Sequence, residues 1–220
     1  MPVINLDGQV PPLLVGALAI VLAGAYGLHA RHDARRQRVM AALGTALLIA
    51  FTGLLERQMG RPLTYRNGPV RLWSGDISSD QNSQQIADPY TFTHVTHGAV
   101  FYAMTSLVMP SASPGLRLLT SVGIEGAWES YENTRTVIER YRAVTISLGY
   151  YGDSALNSVC DMLACVAGFW LAGRLPRWAT IMLVVAMEIV LAAWIRDNLT
   201  LNVLMLVYPL QTIRNWQAGV

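Results

Sequence analysis

Long apolar runs, broken by short polar stretches, dominate the chain. The runs cover residues 10–30, 39–59, 93–111, 116–133, 154–172 and 178–195, with a shorter one over 199–210. Each of the first six approaches the ~20 residues that a helix needs to cross a bilayer. Lipid offers a bare backbone no hydrogen-bond partner, so every span has to be a helix. The pattern predicts an all-α, polytopic transmembrane bundle of about six to seven spans, forming one integral membrane domain over residues 1–220. The last run is short for a crossing, so a tilted seventh helix and a re-entrant segment both stay open. Residues 60–90 break the pattern. They are rich in Gly, Pro, Asp, Asn and Ser and read as a loop, with a hairpin signal at Asn67-Gly68. A connection of that length is expected to be functional or to pack as a lid.

Composition agrees with the pattern. Of the 220 residues, 53% are hydrophobic and 14% charged, and the mean hydropathy is +0.35, too apolar for an ordinary soluble domain. The net charge of +2 says little about partners; membrane lipids are expected and nucleic acid is not. All 16 basic residues are arginine, which removes lysine Schiff-base chemistry. Cys160 and Cys165, five apart on one helix, point in different directions and read as packing residues. The opening MPVINLDGQVPP lacks the basic start of a signal peptide. The cluster RHDARRQR after the first run favours the cytoplasmic side and places the N-terminus outside. Arginines elsewhere divide about evenly, so the orientation rests on that cluster.

Antiparallel packing brings alternate helix ends to one membrane side, whichever side that is. Glu56 and Arg57 close the second run, His94 and His97 open the third, and Glu125, Glu129 and Glu132 lie in the second half of the fourth. Asp153, Asn157 and Asp161 open the fifth, and Arg196, Asp197 and Asn198 close the sixth. All of these fall at the same end. The glutamates, spaced i, i+4, i+7, share one helical face. A carboxylate facing lipid costs several kcal/mol, so the polar stripes are expected to face one another or a wet cavity.

Each candidate has two readings. His94, His97, Asp153 and Asp161 suit a divalent metal, zinc or similar, but no HExxH signature accompanies them, and interfacial or core histidines would show the same spacing. Glu125 and Glu129, with His97, suit general acid–base work, and the alternative is pairing with Arg135, Arg140 or Arg142. Asp153 also fits as a helix cap. Arg135, Arg140, Arg142 and Arg196, with Asn157, Asp197 and Asn198, are candidate contacts to an anionic lipid or lipid-linked substrate. Glu188 stands alone in MLVVAMEIVLAAW, and an intramembrane carboxylate is a functional candidate by default.

The stretches NSQQIADPYTFTHVTHG, IEGAWESYENTRTVIERYRAVTISLGYYGDSALNSVCD and IRDNLTLNVLMLVYPLQTIRNWQAG resemble an uncharacterised family of small bacterial inner-membrane proteins, a domain of unknown function found mainly in alphaproteobacteria. The resemblance covers most of the chain from the second run onward. It implies a multi-pass protein of the inner (cytoplasmic) membrane and brings no activity with it. A weaker likeness is to VanZ-like membrane proteins, carried by His97, Glu129, Arg142, Asp153 and Asn157. It departs at Asp161 and in the longer stretch from Arg142 to Asp153, and it implies work on cell-envelope lipids or glycolipids.

Two function classes lead. One is an intramembrane enzyme, a metal-assisted hydrolase or transferase acting on a lipid or lipid-linked substrate at the outer face. The other is a non-enzymatic assembly or binding protein, or a proton-coupled transporter using Glu188 on its path. Polar groups gathered at one end argue against a through-path. The oligomeric state is not legible.

Overall fold

The computed structural model describes residues 10–29 and 33–219. Residues 1–9 and Arg31-His32 of RHDARRQR, on which the signal-peptide and orientation arguments draw, lie outside the described residues. Among the described residues the chain is helical and has no strand. The elements are α1 (Val10–His29), α2 (Ala34–Gln58), α3 (Thr91–Val108), α4 (Pro114–Glu132), α5 (Arg135–Val144), α6 (Ala155–Ala172), α7 (Arg177–Ile195), α8 (Leu199–Val207) and α9 (Gln211–Ala218).

Local sequence explains the helix boundaries. Asp33 caps α2 by accepting from the backbone N–H groups of Arg35 and Arg36. Ser113 caps α4, followed by proline at the first helical position. Ser154 caps α6, with its hydroxyl taking the N–H of Asn157. This corrects the capping role considered for Asp153, which sits one residue before the cap. Asn198 caps α8.

Four helices, α1, α2, α6 and α7, are long and apolar enough to cross a membrane. That is fewer than the six to seven spans expected. α3 and α4 have the length, with 18 and 19 residues, but threonines and histidines dilute the first, while Arg117 and three glutamates charge the second. α8 has nine residues, about 13 Å of helix, too short to cross. Gln217 of α9 donates to Asp197, just before α8, at 3.1 Å. That bond brings the C-terminal helix α9 back beside the residues that precede α8.

α1 pairs with α4, α2 with α4, and α3 with α6. Val15, Leu48, Leu119, Val122 and Met162 form the apolar centre between α1, α2, α4 and α6. α7 shows its apolar side chains outward, with Trp178, Ile181, Met182, Ile189 and Trp194 exposed.

The closest backbone approach joins α3 and α6. A Cβ on Gly98 would lie 2.0 Å from the Cys165 carbonyl oxygen, and one on Gly168 would lie 2.0 Å from the Val95 carbonyl oxygen. Neither obstacle is a side chain that can swing away. Small residues allow this contact in an apolar setting, where dispersion and close packing hold helices together.

The polar stretch 60–90 folds onto the end of the bundle as a lid, without the hairpin expected at Asn67-Gly68. Tyr65 and Asn67 instead donate to Asp80. Its Gln84, Gln85 and Asp88 are buried. The carbonyls of Ser83, Pro62 and Leu63 accept the N–H groups of Ser154, Ala155 and Leu156, which a helix start leaves without intrahelical partners.

Gly168→Ala should therefore lower stability by ~2 kcal/mol or more, because the two backbones must part. Gly24→Ala, with nothing within 4 Å of the added Cβ, should be neutral or stabilising by up to ~1 kcal/mol. Thermal unfolding in detergent checks the pair, and equal midpoints would refute the close-contact account.

Candidate metal and carboxylate site

The His pair sits on the first two turns of α3, and the glutamate stripe on α4 turns toward it. His94 Nδ1 lies 2.6 Å from Glu125 Oε1 and 3.2 Å from Glu129 Oε1. His97 Nδ1 lies 2.9 Å from Glu125 Oε2. On the other side, His94 Nε2 is 3.9 Å from Asp161 Oδ2 on α6, and Thr91 donates to Asp161 at 3.2 Å. Glu125 and Glu129 are fully buried, and His94 and Asp161 nearly so. Ligand atoms of His94, His97 and Glu125 all lie within 4.8 Å of one another, a group that could hold a metal ion. Two imidazoles and a carboxylate are a zinc-type donor set. Glu129 Oε1 is buried and makes no hydrogen bond of acceptable geometry.

This partly redraws the expected ligand set. Glu125, a candidate acid–base group, stands with the histidines. Asp153, a candidate ligand, is held elsewhere: its carboxylate accepts from Asn133 Nδ2 at 2.7 Å and from Tyr150, and its N–H returns a bond to Asn133 Oδ1. Asp161 lies beside His94 rather than within the three-residue group.

A polar cleft of about 50 Å³ opens above the cluster. His94, His97, Asp161, Glu132, Asp153, Tyr90, Tyr141 and Tyr150 line it. At its rim, burial raises the Asp153 carboxyl and the Tyr150 phenol above their ordinary pKa values.

None of the candidate arginines lines this cleft. Arg135 pairs with Glu139 at 2.7 Å, Arg140 donates to the Leu206 carbonyl, Arg142 to the Leu148 carbonyl, and Arg196 to the Trp216 carbonyl. Among the described residues, the ion pairs join no arginine to Glu125, Glu129 or Asp161. Long exposed side chains reach the nearest carbonyls, and sequence spacing does not fix their direction. Asn157, Asp197 and Asn198 serve the fold. Asn157 donates to the Gln85 carbonyl of the lid. Asn198 donates to the Glu188 carbonyl while capping α8. Asp197 accepts from Tyr90, Gln217 and the Asn198 N–H.

Glu188, which stood alone in the sequence, accepts from the N–H groups of Leu199 and Thr200 at 3.1 and 3.0 Å. It pins the start of α8 to α7, and its partners lie across a turn where no local pattern marks them. Glu56, noted only as a helix-end charge, is fully buried, near Ser158 and Asp153.

The described match to a family model, "Protein of unknown function (DUF2585)", covers residues 56–219. The chain belongs to this family. Similar relatives carry the name UPF0314 protein. That of Paracoccus denitrificans is 52% identical over 176 residues, covering 80% of this chain and 91% of its own. That of Sphingopyxis alaskensis is 49% identical over 177 residues, covering 80% and 94%. UPF0314 protein R03235 of Rhizobium meliloti is 46% identical over 188 residues, covering 86% and 95%. No solved structure matches. The matched region starts at Glu56, so it contains both histidines, the whole glutamate stripe and α8, and leaves out α1 and most of α2.

Burial raises the Asp197 carboxyl from 3.8 to about 6. Below pH 3.8 both folded and unfolded chains hold the proton. As pH rises from there to about 6 the unfolded state ionises first, so stability falls across this window, by at most ~3 kcal/mol, and levels off above it. Asp197→Asn should lose this share of the slope. Unfolding midpoints of the two proteins should move apart in favour of the variant as pH rises; a constant gap would show that Asp197 does not titrate there.

Proposed function

We propose that the chain is a multi-pass enzyme of the bacterial inner membrane, a metal-assisted hydrolase or transferase acting on a lipid or lipid-linked substrate. α3 and α4 cross the bilayer with the four apolar helices, giving six spans, and RHDARRQR holds the opposite end in the cytoplasm, so the site faces outward. The observation that carries this reading is the His94–His97–Glu125 group, with the buried Glu129 carboxylate beside it, 3.2 Å from His94 Nδ1.

His94, His97 and Glu125 would hold a divalent cation, which when bound would supply Lewis acidity toward a phosphoryl or acyl oxygen. Glu129 acts as general base. It takes a proton from the attacking water or acceptor hydroxyl, whose oxygen bonds to the phosphorus or acyl carbon. The bond to the leaving oxygen breaks, and the proton passes to that oxygen. Asp161, 3.9 Å from His94 Nε2, orients the imidazole, as carboxylates behind ligand histidines do. Transport is the weaker reading, since Glu188 is committed to capping α8.

Metal analysis of the full-length protein purified in detergent tests this. Wild type should hold about one ion per chain, and His97→Ala and Glu125→Gln should each weaken binding by at least ~100-fold. Glu129→Gln should keep the ion. A wild-type protein that takes up no zinc, manganese, cobalt or iron would overturn the proposal.

A further inference from the structure

A second space lies directly beside the polar cleft and differs from it in chemistry. It is a groove of about 610 Å³ between α4, α5 and α8, within the usual range for a bound small molecule. Trp128, Val137, Val203, Leu206 and Val207 give it apolar walls, and Thr136, Glu139 and Arg140 bring polar groups to its edge, where Glu139 pairs with Arg135. Val203 and Val207 are exposed, at 45% and 77%. The two spaces share two walls, Trp128 from α4 and Val203 from α8.

Helix geometry explains the sharing. Leu199, Asn202, Val203 and Leu206 form one stripe along α8, because three- and four-residue steps return to one face. Leu199 and Asn202 line the cleft, Leu206 lines the groove, and Val203 lines both. On α4, Trp128 belongs to the face that carries Glu125, Glu129 and Glu132. A molecule lying in the groove therefore reaches the carboxylate site by passing between Trp128 and Val203.

We propose that this groove seats the hydrocarbon chain of the substrate, with its polar head entering the cleft between Trp128 and Val203. This rests on the lipid-directed reading above and assigns the subsite that recognises the lipid. The occupant is a membrane amphiphile because the groove is apolar, opens on the surface of an apolar bundle, and continues into a polar cleft, a sequence of environments that matches a chain joined to a head. Arg140 marks the boundary. Two of its guanidinium nitrogens donate to the Leu206 carbonyl, which fixes a cation where a phosphate next to the chain would lie.

The test uses full-length protein in detergent with a phosphatidylglycerol carrying a diazirine in one acyl chain, at substoichiometric lipid. Photolysis and peptide mapping should enrich adducts on the α4–α5 and α8 segments that line the groove, and Val203→Trp and Val207→Trp should each reduce them about tenfold. Val207 is the safer variant, since its exposed side chain leaves room for an indole. Adducts spread over the exposed face of α7, or unchanged labelling in both variants, would overturn the proposal. So would photoreactive groups at Val207 that capture a second copy of the chain in place of lipid. Metal content read on the same samples separates the two proposals: groove labelling without a metal sinks the catalytic reading alone, and a metal lost in His97→Ala without groove labelling sinks this one alone.

Discussion

The site depends on the contact between α3 and α6. Gly98 and Gly168 let these two backbones touch where any side chain would strike a carbonyl oxygen. Gly98 is the residue after His97, so the contact fixes the height and rotation of the histidine-bearing turn. It also fixes where α6 presents Asp161 to His94. Moving the helices apart by the thickness of a methyl group would open the 3.9 Å approach of these two side chains and tilt both histidines away from α4. Rigid helices are a sound base for such a cluster, because ligands and acid–base groups must be held within about half an ångström.

A second constraint is the concentration of acid at one end. Glu56, Glu125, Glu129, Asp153 and Asp161 are all buried, and in the histidine cluster His94 and His97 are the groups that meet Glu125, Glu129 and Asp161. Proteins keep such groups neutral, pair them, or give them a cation. Here the resources divide. Asp153 is tied to Asn133 and Tyr150 and belongs to the wall of the cleft. Glu125 is shared by two imidazoles. Glu129 lies 3.2 Å from His94 Nδ1, whereas Glu56 lies near Ser158 and Asp153. The chemistry is assigned to Glu129 on that proximity.

How much of this was legible in the sequence follows from the range of each signal. Helices were legible from apolar runs, and the convergence of polar groups from antiparallel packing, because both depend only on period and connectivity. The i, i+3 and i, i+4 spacings identified the histidine pair and the glutamate stripe. The division of labour among the acids was not legible: whether Glu125 or Asp153 meets His97 depends on helix rotation, which Gly98 and Gly168 set. A glycine in an apolar run looks the same whether it faces open space, as Gly24 does with nothing near it, or a neighbouring backbone. α3 and α4 differ from the four apolar helices because they have the length of spans and the polarity of a site. The roles of Glu188 and Asn198 depend on a turn that folds α8 back, a tertiary feature with no periodic trace.

α8 joins these elements into one device. Glu188 and Asn198 set where the helix begins, Gln217 and Asp197 tie the chain that follows back to the same end, and Tyr141 bonds to Asn202 at 2.9 Å. Each of these attachments uses a polar group to fix a nine-residue apolar helix that could have been left to lie free at the surface. They hold α8 with one edge on the polar cleft and the other on the apolar groove, opposite Trp128. On the lipid-directed reading proposed above, such a wall, with one polar and one apolar edge, suits a molecule that has both parts and arrives from within the membrane.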